Sequence, residues 1–165
     1  MTSNKQHVES IKTIAISGFI AGTLDIAGAI VVYSILLDKT TAVRILQSIA
    51  SGVFGKAAYA GGIETALYGL LFHYIIATSW AAGYFLIFPV ISFLQKQKII
   101  CGLLYGIVVW LMMNLLLLPL FNVKMPLFTL QGVLIGIGIL MFCIGLPISL
   151  ITHSYYSSKK SMWSS

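Results

Sequence analysis

The chain has 165 residues, 59% of them hydrophobic and only 8% charged, with a mean hydropathy of +0.99. A domain folded in water carries about 25% charged residues, so this composition excludes an ordinary soluble fold and points to an integral membrane protein. Ten basic residues against four acidic ones give a net charge of +6, but the basic residues fall between apolar runs, where they orient a chain in a bilayer rather than bind nucleic acid.

Crossing the hydrocarbon takes about 20 mostly apolar residues as a helix, and an open sheet there would leave costly unpaired backbone groups. The first apolar run covers residues 13–37. Lys5 and Lys12 precede it, and the "AGA" at 27–29 imitates a signal-peptide cleavage site;. The run continues past that point to spanning length, so an uncleaved first span is expected. Its segment "GTLDIAGAIVV" places Asp25 midway, about 18 Å from either end at a rise of about 1.5 Å per residue. An ionised carboxylate at that depth costs about 2.5–3.5 kcal/mol on insertion scales, which marks such a residue as a functional candidate. Gly18, Gly22, Gly28 and Ala29 share the helical face of Asp25;. The acid is therefore expected to point into a close-packed bundle.

Residues 41–57 are too polar to span. Val43, Leu46, Ile49, Ala50, Val53 and Phe54 recur at helical spacing, with Arg44, Gln47, Ser48, Ser51 and Lys56 mainly on the other side;. This pattern predicts an amphipathic helix lying in the outer interface, or dipping partway in, with a linker helix packed on the bundle as the plain alternative.

The second run, residues 63–88, holds His73 on one face with Ala66, Gly69, Ala77 and Trp80. Counting from the start of that run places His73 about 15 Å deep, close to the level of Asp25 on an antiparallel neighbour. An Asp25–His73 pair at mid-membrane is expected. Two readings stay open: a hydrogen bond that locks two helices, or a titrating pair serving as proton relay or ligand site.

The third run covers residues 99–120 and the fourth 127–152. Asn114 and Gln131 sit in their outer parts, and Glu64 opens the second span just after Lys56 ends the interfacial segment. Lys56, Glu64, Asn114 and Gln131 are candidates for an outer polar vestibule leading to Asp25 and His73. Singly, Glu64 also reads as a first-turn acid favoured by the helix dipole. Asn114 and Gln131 also read as interhelical hydrogen-bonders, worth about 0.6 kcal/mol on average.

The "QKQK" at 95–98 and the "FNVKMP" at 121–126 are short connections, and Pro126 suits the start of the fourth helix;. Short loops make neighbours antiparallel, so the expected fold is an all-α, four-helix up-down bundle forming one membrane domain over 1–165. Lys5, Lys12, Lys96, Lys98, Lys159 and Lys160 would lie on one side, against Lys39, Arg44, Lys56 and Lys124 on the other. That bias favours cytoplasmic termini. Trp80, Trp110 and Trp163 are candidate interface anchors, and the polar tails are expected to be mobile at their ends. Each span offers a small-residue pair: Gly18 with Gly22, Gly62 with Ala66, Gly102 with Gly106 and Gly132 with Gly136. Such pairs serve packing within a bundle or self-association.

Several chemistries find no residues. His7 and His153 are far from the depth of His73, so no bis-histidine haem site forms. Cys101 and Cys143 suggest neither a disulfide framework nor a thiolate metal site;. No catalytic residue, metal or cofactor is assigned.

The stretches "GTLDI" (22–26), "QSIASGVFG" (47–55), "GLLFHYIIA" (69–77) and "YGIVVWLMMN…LPL" (105–120) resemble a family of uncharacterised bacterial four-helix integral inner-membrane proteins. The resemblance covers most of 11–121 and is weak over the fourth helix. It implies a bacterial inner-membrane location and carries over no catalytic residue. The expected function is transport or permeation of a small solute or proton, with a non-catalytic accessory or assembly role as the alternative. A small membrane enzyme using Asp25, His73 and Glu64 is a further alternative. Expected partners are the lipid bilayer and either further copies of the chain or another membrane protein.

Overall fold

Local chemistry sets where the helices begin and end. The computed structural model describes residues 2–121 and 129–162, with side chains over 6–121 and 129–159. Helix α1 runs Thr2–Ala29 and continues as π-helix over Ile30–Leu36. Helix α2 (Ala42–Phe54) starts beneath Thr41, whose Oγ1 accepts from the Arg44 amide at 3.2 Å; such a cap satisfies an otherwise orphaned amide. It stops at Gly55, whose φ of +59° suits only a residue without Cβ;. A 3-10 turn over Gly55–Tyr59 leads into α3 (Gly62–Ile87), followed by the single turn α4 (Ser92–Lys96). Helix α5 (Lys98–Leu120) is π-helical over Met112–Leu117, and α6 (Leu130–Met162) over Met141–Gly145.

The chain is all-helical among the described residues, and four helices are long and apolar enough to cross a membrane: Gln6–Leu36, Gly62–Ile87, Lys98–Leu120 and Leu130–Lys159. The middle two match the expected spans to within a residue. The outer two overshoot, because polar residues end an apolar run without ending a helix. Ser10 Oγ donates to the Gln6 carbonyl at 3.0 Å and accepts from the Tyr155 hydroxyl at 2.7 Å. The described parts of the two polar tails, 2–10 and 154–162, are therefore helical, and Ser10 joins the first to Tyr155 of the second. The turn holding Lys124 and Pro126, the first residues expected in the fourth span, and Trp163 lie outside the described residues.

Helix α1 packs along both α3 and α6. Gly18 backs onto Thr78, Gly22 onto Tyr74 and Ala77, and Gly28 onto Ile139 and Cys143. Helices α5 and α6 meet main chain to main chain: Gly102 lies against Leu146 and Ser149, Gly106 against Met141, and a Cβ on Gly145 would run into the Gly102 carbonyl. Where burial of apolar surface drives little, this close approach is what holds helices together. Gly62 has a different task, since its φ of +58° begins α3. Ala21, Ala77, Ala81, Tyr84, Phe88, Val109, Ile144 and Ile148 form the core. Trp80 packs against it and Trp110 is buried, so neither is an exposed anchor.

Helix α2 crosses α3 so closely that a side chain on Gly69 would strike the Leu46 carbonyl. It packs with Gln47, Ala50 and Ser51 inward, while Arg44 of the polar set stays exposed. Gln47 and Ser51 are buried, and Gln47 Nε2 donates to the Gly62 carbonyl at 2.9 Å. Phe54, though partly exposed, packs its ring against Tyr68 and Phe72 of α3, and Val43 and Val53 face outward. The same holds elsewhere: Ile11, Phe19, Leu71, Leu86, Leu115 and Leu134 are all exposed. An exterior this apolar marks a surface that meets lipid or other protein.

Candidate functional site

The glycine face of α1 determines how near α3 can come. With only hydrogens at Gly18 and Gly22, the imidazole of His73 reaches the α1 main chain, and its Nε2 donates to the Gly22 carbonyl at 2.8 Å. That carbonyl has two lone pairs, so it can accept this bond beside its helical one. Asp25 lies one turn further along α1, and its Oδ2 is 4.0 Å from the same Nε2. This is within ion-pair range and beyond hydrogen-bond range. The expected Asp25–His73 juxtaposition is present, and the proton on Nε2 is directed at a carbonyl rather than at the acid.

Burial differs between the two. The His73 side chain is 10% exposed and that of Asp25 18%. No hydrogen bond to the Asp25 carboxylate occurs among the described residues. Tyr74 flanks the site: it stacks on Phe19 with ring centroids 5.3 Å apart, and its hydroxyl lies 2.9 Å from Thr23 Oγ1. Thr23 gives its own proton to the Phe19 carbonyl at 2.8 Å, so Tyr74 is the donor in that pair.

The four vestibule candidates are scattered by comparison. Lys56 sits in the 3-10 turn after α2 and Glu64 in the first turn of α3, both exposed, and Gln131 is exposed at the start of α6. Asn114 gives its amide to the Trp110 carbonyl on its own helix at 2.9 Å. No hydrogen bond or ion pair joins these four to one another or to Asp25 among the described residues. No three His, Cys, Asp or Glu side chains converge as a metal site there.

A second polar centre escaped the sequence. Ser149 Oγ donates to the Lys98 carbonyl at 2.6 Å, so Tyr84, fully buried, donates to Ser149 at 2.8 Å. Tyr105 likewise donates to the Trp80 carbonyl at 2.7 Å. These bonds tie α3, α5 and α6 together, and no spacing rule flags a tyrosine within an apolar run.

Comparison with protein-family models, with curated proteins and with solved structures found no match. The functional reading therefore rests on the site alone.

Proposed function

We infer that the chain is a multi-pass bundle that passes a proton or small solute, with Asp25 and His73 as its titrating pair. The observation that carries this reading is the 4.0 Å separation. A pair that served only to lock two helices would close to a direct bond, because an unbonded carboxylate in lipid is expensive. Here the acid keeps some exposure and no hydrogen bond, so it is available to water or to a solute. A membrane enzyme is less well supported, since Glu64 is exposed at the head of α3 and joins neither residue.

The remaining features of the reading agree with this. Contacts that climb α1 from Gly18 to Gly22 descend α3 from Thr78 to Tyr74, which supports an up-down arrangement. The outward apolar side of α2 supports its embedding at the outer boundary of the bilayer, dipping toward Gly69. The distribution of basic residues supports both termini on the cytoplasmic side, and a bacterial inner membrane is proposed on the sequence resemblance alone. An accessory or assembly role is the second reading, favoured by the exposed Val53 and Phe54 on α2. The small-residue pairs no longer favour it, because those on α1 and α5 are consumed in internal contacts.

Reconstituted protein in liposomes with an entrapped pH-sensitive dye tests the proposal. Wild-type protein is expected to dissipate an imposed pH gradient, Asp25→Asn to abolish the flux and His73→Ala to reduce it. Flux that survives Asp25→Asn unchanged would remove the pair from the pathway.

A further inference from the structure

Helices α1 and α6 are longer than the other two spans. The apolar part of α1, Gln6–Leu36, has 31 residues against 23 in α5, about 46 Å against 35 Å. At the end carrying both termini they run on together, joined by the Ser10–Tyr155 hydrogen bond of 2.7 Å. Between them lies a groove of about 370 Å³.

The groove is graded along its length. Ile16 and Ile151 line its deeper part, Thr13 and Ser154 follow, and Glu9 and Lys159 stand at the mouth. From isoleucine to charge is seven residues on α1 and eight on α6, about 10–12 Å. That is enough to cross the bilayer's own passage from hydrocarbon to headgroup, roughly 5–8 Å per leaflet.

Among the described side chains that line it, the groove carries one charge of each sign, Glu9 and Lys159, and no ion pair joins them. The sole ion pair among the described residues is Asp25 with His73. The Lys159 ammonium lies 4.6 Å over the Tyr155 ring, held by that ring rather than by Glu9. Two opposite charges on facing walls, left apart, suit a ligand bearing the reverse pair. An anionic headgroup would meet repulsion at Glu9, and a simple cation at Lys159. A headgroup carrying both a phosphate and a primary ammonium meets neither. The ammonium also donates hydrogen bonds, which a carboxylate accepts and a quaternary choline cannot supply.

We propose that this groove is a binding site for one phosphatidylethanolamine molecule. Its phosphate lies on Lys159, its ammonium on Glu9, with Ser154 beside them and an acyl chain descending over Ile16 and Ile151. The site is independent of the Asp25–His73 reading and requires only that the helices span a bilayer.

Native mass spectrometry of the purified full chain tests this by titration with phosphatidylethanolamine, phosphatidylcholine and phosphatidylglycerol of identical acyl chains. One phosphatidylethanolamine is expected to bind about tenfold more tightly than either of the others, the worth of one charge-assisted contact. Glu9→Gln should abolish that preference and shift it toward phosphatidylglycerol, whereas Lys159→Gln should weaken binding of all three lipids together, because each carries the phosphate. Equal affinity for the three lipids, a wild-type preference for the anionic one, or selectivity unchanged in Glu9→Gln overturns the proposal. The wild-type series decides even where a variant fails to fold.

Discussion

Replacing Asp25 by Asn separates a site built for function from one built for stability. An ionised carboxylate at mid-bilayer costs about 2.5–3.5 kcal/mol. The Asp25 carboxylate recovers none of this through hydrogen bonds among the described residues. Its one compensation is attraction to His73 across 4.0 Å, about 4 kcal/mol at an effective dielectric of 20, and only while the ring is protonated. The bond from Nε2 to the Gly22 carbonyl needs no such charge. With the ring neutral, as its bond to the Gly22 carbonyl allows, Asp25→Asn is expected to stabilise the protein, by up to about 2 kcal/mol because the amide keeps part of the polar penalty. That is a rise of a few °C in Tm, at roughly 2–4 °C per kcal/mol for a chain of this size. His73→Ala should do the opposite, losing a buried hydrogen bond worth about 0.5–1.5 kcal/mol together with its packing. Thermal unfolding of both variants in nanodiscs, followed by circular dichroism, reads the two signs. If Asp25→Asn lowers Tm as His73→Ala does, the pair is a lock and the reasoning fails.

Three further outcomes follow from the packing. Ser149→Ala strands the buried Tyr84 hydroxyl and should cost about 1–3 kcal/mol, more than Tyr84→Phe; a double-mutant cycle by thermal unfolding should show coupling, and strict additivity would refute the chain from Tyr84 through Ser149 to Lys98. Thr152 Oγ1 is buried without a hydrogen-bond partner, so Thr152→Val should leave Tm unchanged or raise it, whereas a loss above about 1 kcal/mol would reveal a hidden partner. Gly145→Ala drives a methyl into the Gly102 carbonyl and should cost about 1–3 kcal/mol or more, seen as a lower Tm, while Gly138→Ala, in open space, should be tolerated.

The spans were readable because apolar runs must match the bilayer, which is why 63–88 and Gly62–Ile87 nearly coincide. The meeting of Asp25 and His73 was readable too, from small-residue faces and equal depth. The acceptor of the imidazole proton was not, since a main-chain carbonyl leaves no mark in a sequence. The inward placing of Gln47 and Ser51 on α2 was unreadable for a related reason. Periodicity locates two faces of a helix, but which one meets protein depends on what surrounds the other. The ends of α1 and α6 were not legible because hydropathy records where lipid contact stops, and Ser10 and Tyr155 lie on helix beyond it.

The bond from His73 to Gly22 O has a genetic consequence. Its acceptor belongs to the backbone, so no substitution on α1 can delete it chemically; a change at Gly22 can only block it by bulk. Loss of the anchor on the α1 side should therefore be repaired by making room on α3, at Tyr74 or Ala77, which a Cβ at Gly22 would approach at 3.1 Å. Loss on the α3 side, at His73 itself, has no such remedy. A suppressor screen should find the two halves of this contact unequal, with second-site revertants recovered for Gly22 variants and none for His73 variants.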